Sequence, residues 1–376
     1  MSILPESVTA YIGMQTTEVA CEVVERGAVR RFAQAVMDAD PIYREPCAAN
    51  AHCGGPVAPA LYPMYMINWR QFGDADSVQQ HAQDPHFDGT AGLLRGLPEI
   101  EPLKHLAVLN GGSEIEFYRY ARHGETVKLR SRYTDIVEKQ TRTGPMVIVT
   151  SENDYLTGDG ELLLRVRRSS LRRPAEPPGR SQGDNEVAAK TDNCAKRLSC
   201  RSQYRNAQHG GCRMSAAMTS THLFFEDVAV GDDLPCLPKG PLTSVHLMRW
   251  SAAIENWHKI HYDRPFAVTH DGLPDLLVNG SFKQQFIVQL LKDWVGPAGW
   301  VWKASFQFRA MNLVGESLSV WARVTAKRDA PDFGLVELEL GIVNAEGQQS
   351  TPGKATVALP YRGRGAVPYP FVAPSC

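Results

Sequence analysis

Ala304-Ser305-Phe306-Gln307-Phe308-Arg309 repeats the alternation of Glu114-Ile115-Glu116-Phe117-Tyr118, and Phe308 precedes Gly315-Glu316 by the interval that separates Phe117 from Gly124-Glu125. Apolar residues at every second position put one face of each stretch against a core. Working outward, each strand is preceded by the same order of elements. In the first half, Val24 to Met37 carries Val29, Phe32, Ala33, Val36 and Met37 at helical spacing, and the loop Asp38-Ala39-Asp40-Pro41-Ile42-Tyr43 follows. Ala60 to Phe72 then reads as a buried helix. In the second half, Ser244 to Glu255 is helix-like, Asn256 to Asp263 is a loop, and Gly280 to Trp294 is a helix with Phe282, Phe286, Ile287, Leu290, Leu291 and Trp294 on one face. Two copies of one fold are expected.

The remaining strands read as antiparallel meanders. In the first copy they are Thr126 to Tyr133, Met146 to Tyr155 and Leu162 to Leu171; in the second they are Leu318 to Thr325, Val336 to Asn344 and Lys354 to Leu359. Residues from about Gly73 to His105 are polar and form a long excursion. From Pro174 to about Thr221 the chain is rich in Pro, Gly, Ser, Asn, Gln and Arg, which is too little apolar surface to bury. The expected division is a first domain over residues 1–173, a disordered linker over 174–221 and a second domain over 222–376.

Composition narrows the function. The 376 residues carry 40 Lys+Arg against 41 Asp+Glu, a formal charge of -1 that supplies no global field for nucleic acid or an acidic membrane. No apolar run of about 18 residues is present for a membrane span. Met1 to Glu6 lacks the basic and apolar regions of a secretory signal, so the expected location is cytoplasmic. Cys194, Cys200 and Cys212 with His209 lack the tight spacings of zinc sites and read as linker thiols. Gly54-Gly55 and Gly111-Gly112 read as turns, since neither follows the strand-Gly-x-Gly-x-x-Gly-helix pattern of a phosphate loop.

The chemistry concentrates in Asn256-Trp257-His258-Lys259-Ile260-His261-Tyr262-Asp263. A loop histidine at the end of a helix suits proton transfer near neutral pH. His261 is the first candidate for acid/base work. Asn256 can orient water through its amide without accepting a proton. Gly280, after Asn279 at the head of a helix, brings a free N–H to an anionic oxygen. Trp257, His258, Asn279 and Ser281 are the neighbouring candidates for substrate contact. Asp263 reads as a turn cap, and Glu255 lies one position out of register.

These stretches, with Asn110 to Phe117 and Phe224-Phe225-Glu226-Asp227-Val228-Ala229-Val230-Gly231-Asp232, resemble the MaoC-like family of double hot-dog acyl-CoA hydratases and dehydratases that carry an N-terminal FAS1-like dehydratase domain. The resemblance implies an α+β fold of two hot-dog domains, each an antiparallel sheet wrapped around a long central helix, joined as an internal pseudo-dimer. It implies an acyl-CoA thioester as substrate, hydro-lyase chemistry without metal or redox cofactor, and chains that can pair as homodimers.

The family's hydration motif reads Asp-x-Asn-Pro-Ile-His. Neither half of this chain matches it fully: the first keeps Asp38 but has Tyr43 for the histidine, and the second keeps His261 but has Asn256 for the acid. The run from Asn256 to Asp263 is similar to that of the mitochondrial-type hydroxyacyl-thioester dehydratases and mesaconyl-CoA hydratases, which also carry asparagine there. By this resemblance Asp38 with Tyr43 is a relic. An acyl-CoA thioesterase or a non-catalytic acyl-CoA-binding partner subunit fits the same fold, because fold alone does not fix function.

Overall fold

The computed structural model describes residues 3–66, 73, 75–90, 97–141, 144–174 and 223–374. The expected linker falls on residues outside these, as do the zinc reading at Cys194, Cys200, Cys212 and His209 and the final turns of the helix expected over Ala60 to Phe72.

Ten strands form one sheet in the order β1-β3-β4-β5-β2-β7-β10-β9-β8-β6. Their ranges are β1 Val19–Val23, β2 Ala107–Phe117, β3 Thr126–Thr141, β4 Gly144–Thr157, β5 Leu162–Arg173, β6 Leu237–Lys239, β7 Trp300–Phe306, β8 Leu318–Asp329, β9 Phe333–Asn344 and β10 Gln349–Pro360. The order reads the same from either end, so each half contributes five strands in one topology and every described pairing is antiparallel. This is the double hot-dog architecture. The two stretches that announced the repeat are the strands that join the halves: β2 and β7 pair with Glu114 opposite Ser305 and Ile115 opposite Ala304.

The edge strands β1 and β6 escape a reading of the sequence because they are short and show little alternation. Gly111 and Gly112 are not a turn, contrary to expectation. They lie inside β2 where the register with β5 shifts, and a Cβ on Gly112 would collide with the Phe306 carbonyl of β7. Only glycine permits that approach of two backbones, and its φ of 129° adds a second reason.

The described residues also form helices. They are α1 Arg26–Ala35, α2 Pro63–Met66, α3 Ser77–Gln80, α4 Ser244–Ala253 and α5 Gly280–Val295. α5 is the second central helix, and α2 is the described part of the first. Trp250 of α4 is fully buried and stacks on Phe282 of α5 at 5.2 Å, while Phe32 of α1 and Tyr65 of α2 meet its ring at 5.1 and 5.5 Å. Aromatic contacts of this kind add to the burial of area itself. The two halves share one continuous apolar core. Among the described residues no helix is long and apolar enough to cross a membrane.

Trp250→Ala removes the ring that both halves pack against and is expected to lower stability by about 3–5 kcal/mol. A denaturant titration of the variant against the parent chain checks this.

Candidate active site

The site begins where α4 stops. Glu255 takes a left-handed conformation with φ of 49°, which swings the chain so that the Asn256 N–H reaches back to the Ser251 carbonyl at 2.9 Å. Strain of that kind in a non-glycine residue is held by its surroundings. Asn256 Oδ1 then accepts the N–H of His258 at 3.1 Å, and the Tyr262 hydroxyl donates to the Trp257 carbonyl at 2.6 Å. These bonds fold Lys259 to His261 into a single 3-10 turn that buries His261 to 6% exposure.

The His261 ring has a fixed tautomer. Nδ1 lies 2.8 Å from the Leu277 carbonyl, which can only accept, so Nδ1 carries the proton and Nε2 presents its lone pair. Burial pulls the pKa down to about 4, with the Leu277 bond opposing the shift and His258 adding to it. The ring is therefore a neutral base at pH 7. His258 stands edge-on to it, with ring centroids 5.6 Å apart, and burial lowers its pKa also.

Leu277 joins the histidine turn to the head of α5. Its own N–H donates to the Ile260 carbonyl at 3.0 Å, and Val278 is held by the Asn312 carbonyl at 2.8 Å. Asn279 caps the helix, its Oδ1 accepting the N–H of Ser281 at 2.8 Å and the Ser281 hydroxyl. Trp250 Nε1 donates to Ser281 Oγ at 3.0 Å, so that hydroxyl is committed to the cap and to Trp250. Two donors at this helix head have no acceptor among the described residues. They are the buried Asn279 Nδ2 and the N–H of Gly280 in the first helical position. The Phe308 ring covers Gly280, about where a Cβ would stand 3.2 Å from it.

A reading of the sequence misses what lies over this site. Asp88 and Gly89, in the first-half excursion, seat on the Trp257 to Lys259 backbone: the Lys259 N–H donates to the Asp88 carbonyl at 2.7 Å, and a Cβ on Gly89 would collide with the Trp257 carbonyl. His86 Nδ1 meets His270 Nε2 at 3.1 Å, and Asp88 Oδ2 lies 3.8 Å from His258 Nε2. The signal in the sequence is limited to a polar Asp88-Gly89-Thr90 turn, which says nothing about where it lands. Tyr62 and Tyr65 belong to the core; Trp257 is half-buried at the site. Of the cations near the sheet, Lys303 pairs with Glu116 and Arg323 with Asp233, whereas Arg309 meets the Gln307 amide.

Fold and site together define a double hot-dog protein with one neutral buried histidine facing a helix head. The sequence matches the family model described as "FAS1-like, dehydratase domain region" over residues 10–166 and "Hydroxyacyl-thioester dehydratase type 2" over residues 236–316. Each half thus contains a region similar to a dehydratase domain, which supports a hydratase/dehydratase role. Its fold is that of MaoC-like dehydratases. One solved structure titled "MaoC-like dehydratase" is 18% identical with a TM-score of 0.62, covering 94% of this chain and 99% of its own. A putative MaoC domain dehydratase from Chloroflexus aurantiacus is 13% identical with a TM-score of 0.59, covering 94% and 96%. A Mycobacterium tuberculosis protein described as having a double hotdog fold is 14% identical with a TM-score of 0.55, covering 93% and 96%. Among curated proteins none matches the sequence.

The mirror position in the first half has become something else. Met37 repeats the left-handed kink with φ of 57°, the Asp38 N–H reaches the Ala33 carbonyl at 2.9 Å, and Pro41 to Tyr43 form the matching 3-10 turn. Here the Tyr43 hydroxyl donates to Asp38 Oδ2 at 2.9 Å, and Lys292 of α5 enters from the other half. Lys292 Nζ lies 3.4 Å from Asp38, 2.9 Å from Asp293 and within bonding distance of Asp40. Burial opposes its charge, but Tyr43, Asp38, Asp293 and Asp40 together outweigh burial and hold the ammonium well above its ordinary pKa. Lys292→Met leaves these carboxylates without their counter-ion and is expected to destabilise the chain by about 3–5 kcal/mol. Thermal unfolding of the variant at neutral pH measures the loss.

Proposed function

We propose that this chain adds water to a 2-enoyl-CoA thioester, or removes it from the 3-hydroxyacyl-CoA, at the second-half site. The domain of residues 222–376 carries the chemistry and that of residues 1–173 supports it. One observation carries the reading: a neutral histidine with a free Nε2 is tied through Leu277 to a helix head where Asn279 Nδ2 and the Gly280 N–H lack acceptors. A buried donor without a partner, such as Asn279 Nδ2, costs about 1–3 kcal/mol. A thioester oxygen that gains negative charge is an acceptor suited to both.

The steps balance. His261 Nε2 takes a proton from water as the water oxygen bonds to Cβ. The C=C pair moves toward Cα and the thioester oxygen, whose charge the Gly280 N–H and Asn279 Nδ2 stabilise. His261 then returns the proton to Cα, and the net change is one added water. Asn256 holds the water oxygen through its Nδ2, since Oδ1 is occupied by the His258 N–H. Trp257 and His258 wall the substrate, and Ser281 keeps the helix head in place. Arg309, adjacent to Phe308, is the cation best placed among the three for a CoA phosphate, because the other two are ion-paired.

The full chain is expected to remove the enoyl absorbance of crotonyl-CoA or a longer enoyl-CoA, and His261→Ala to slow this by about 10²- to 10⁴-fold. Equal rates for the two proteins across a panel of enoyl thioesters would sink the reading. Release of free CoA would instead favour a thioesterase, and binding without turnover a non-catalytic partner. Asn279→Asp keeps the cap oxygen but removes the Nδ2 donor. Its kcat is expected to fall about 10²-fold with the helix intact by circular dichroism.

A further inference from the structure

We propose that Asp88, carried by the first half, is a positioning residue of the second-half site, where its carboxylate replaces the one absent at Asn256 and acts through His258. The inference rests on the hydratase reading for its kinetic consequence but not for its geometry. Three observations support it. First, the carboxylate is built into place: Asp88 Oδ1 accepts both the N–H and the hydroxyl of Thr90 at 2.6 Å, which leaves Oδ2 facing His258 Nε2 at 3.8 Å. Second, the backbone on either side is fixed to the site it faces, through the Lys259 N–H to the Asp88 carbonyl at 2.7 Å and through Gly89 against the Trp257 carbonyl. Gly89 has φ of 88° and no room for a side chain, so the loop reaches this depth only with glycine there.

Third, the charge is needed. His261 becomes an imidazolium during turnover in a buried place, and burial alone makes that form costly. The residue at position 256 cannot offset the charge, because an amide carries none. Asp88 supplies a carboxylate on the far edge of the His258 ring that stands against His261. At 3.8 Å from His258 Nε2, the Asp88 carboxylate favours the ring orientation that stands against His261. The groups facing His258 are Asp88 from the loop, Asp271 from the turn after Phe266 to His270, and the His261 ring.

Asp88→Asn is a clean probe, because an asparagine oxygen still accepts from Thr90 and the backbone carbonyl still accepts from Lys259. In the full chain it is expected to lower kcat for crotonyl-CoA hydration by about 10- to 100-fold with KM within about twofold. Asp88→Glu is expected to recover part of the loss, and Asp88→Asn with His258→Gln to be no worse than the poorer single variant. A readout independent of turnover is the His258 titration followed by NMR, identified by its loss in His258→Gln. Asp88 raises that pKa, so Asp88→Asn is expected to lower it and Asp88→Glu to leave it near the parent value. An unchanged His258 titration in Asp88→Asn, or parental kcat in Asp88→Asn beside an inactive His261→Ala, overturns the inference. A parent chain inert toward enoyl thioesters overturns the hydratase reading instead and leaves the titration to decide the role of Asp88.

Discussion

Every residue of α5 from Phe282 to Lys292 is buried, and five of those eleven are Lys or Gln. A helix enclosed on all sides needs an answer for each polar group, since an unanswered one costs more than its burial returns. Most of the answers come from the other half of the chain. Tyr65 takes the amides of Gln284 and Gln285, and Lys239 binds Gln289 at 2.7 Å while reaching the Val36 and Met37 carbonyls. Lys283 is held within its own half by Asn312 and the Ala310 carbonyl, and Lys292 ends among the first-half carboxylates. Burial pulls the pKa values of Lys239 and Lys283 down to about 8. The sheet seam at β2 and β7 brings the halves together. This polar lattice around α5 fixes them in one arrangement.

That rigidity matters to the site because its parts come from four places in the chain: the α4 terminus, the turn at His261, the head of α5 and the Asp88 loop. The kink at Glu255 and the Leu277 bridge are what bring them together. The histidine is kept neutral by burial rather than by a neighbouring charge, and its tautomer is set by a carbonyl, so its lone pair is available without any prior proton loss. The same kink at Met37 in the first half serves no such histidine. There it delivers Asp38 to Lys292.

The repeated helix, turn, helix and strands are legible in the sequence because their apolar spacing is local. Alternation in a strand, as at Leu318, Val320, Ala322 and Val324, depends only on which side faces the core. His261, Asn256 and Gly280 stand out in the sequence as candidates because they lie at element ends, where the chain turns. What is not legible depends on contacts far along the chain. The ammoniums of Lys239, Lys283 and Lys292 look like solvated charges until their partners arrive, and α5 reads as one-sided because its polar residues are satisfied from outside the helix. Asp88 lies 170 residues before His258, and nothing in its neighbourhood points there. Gly112 resembles a turn because a glycine pair reads the same whether the chain bends or another backbone presses against it.

The exchange between Lys292 and the first-half turn also governs which halves can pair. Were two copies of the second half to join, Lys292 of each would keep Asp293 of its own helix but meet Asn256 and His258 in place of Asp38 and Asp40. The divergence of the two turns therefore bears on assembly: it favours the union of unlike halves, because a second-half pair would forgo the contacts of Lys292 with Asp38 and Asp40.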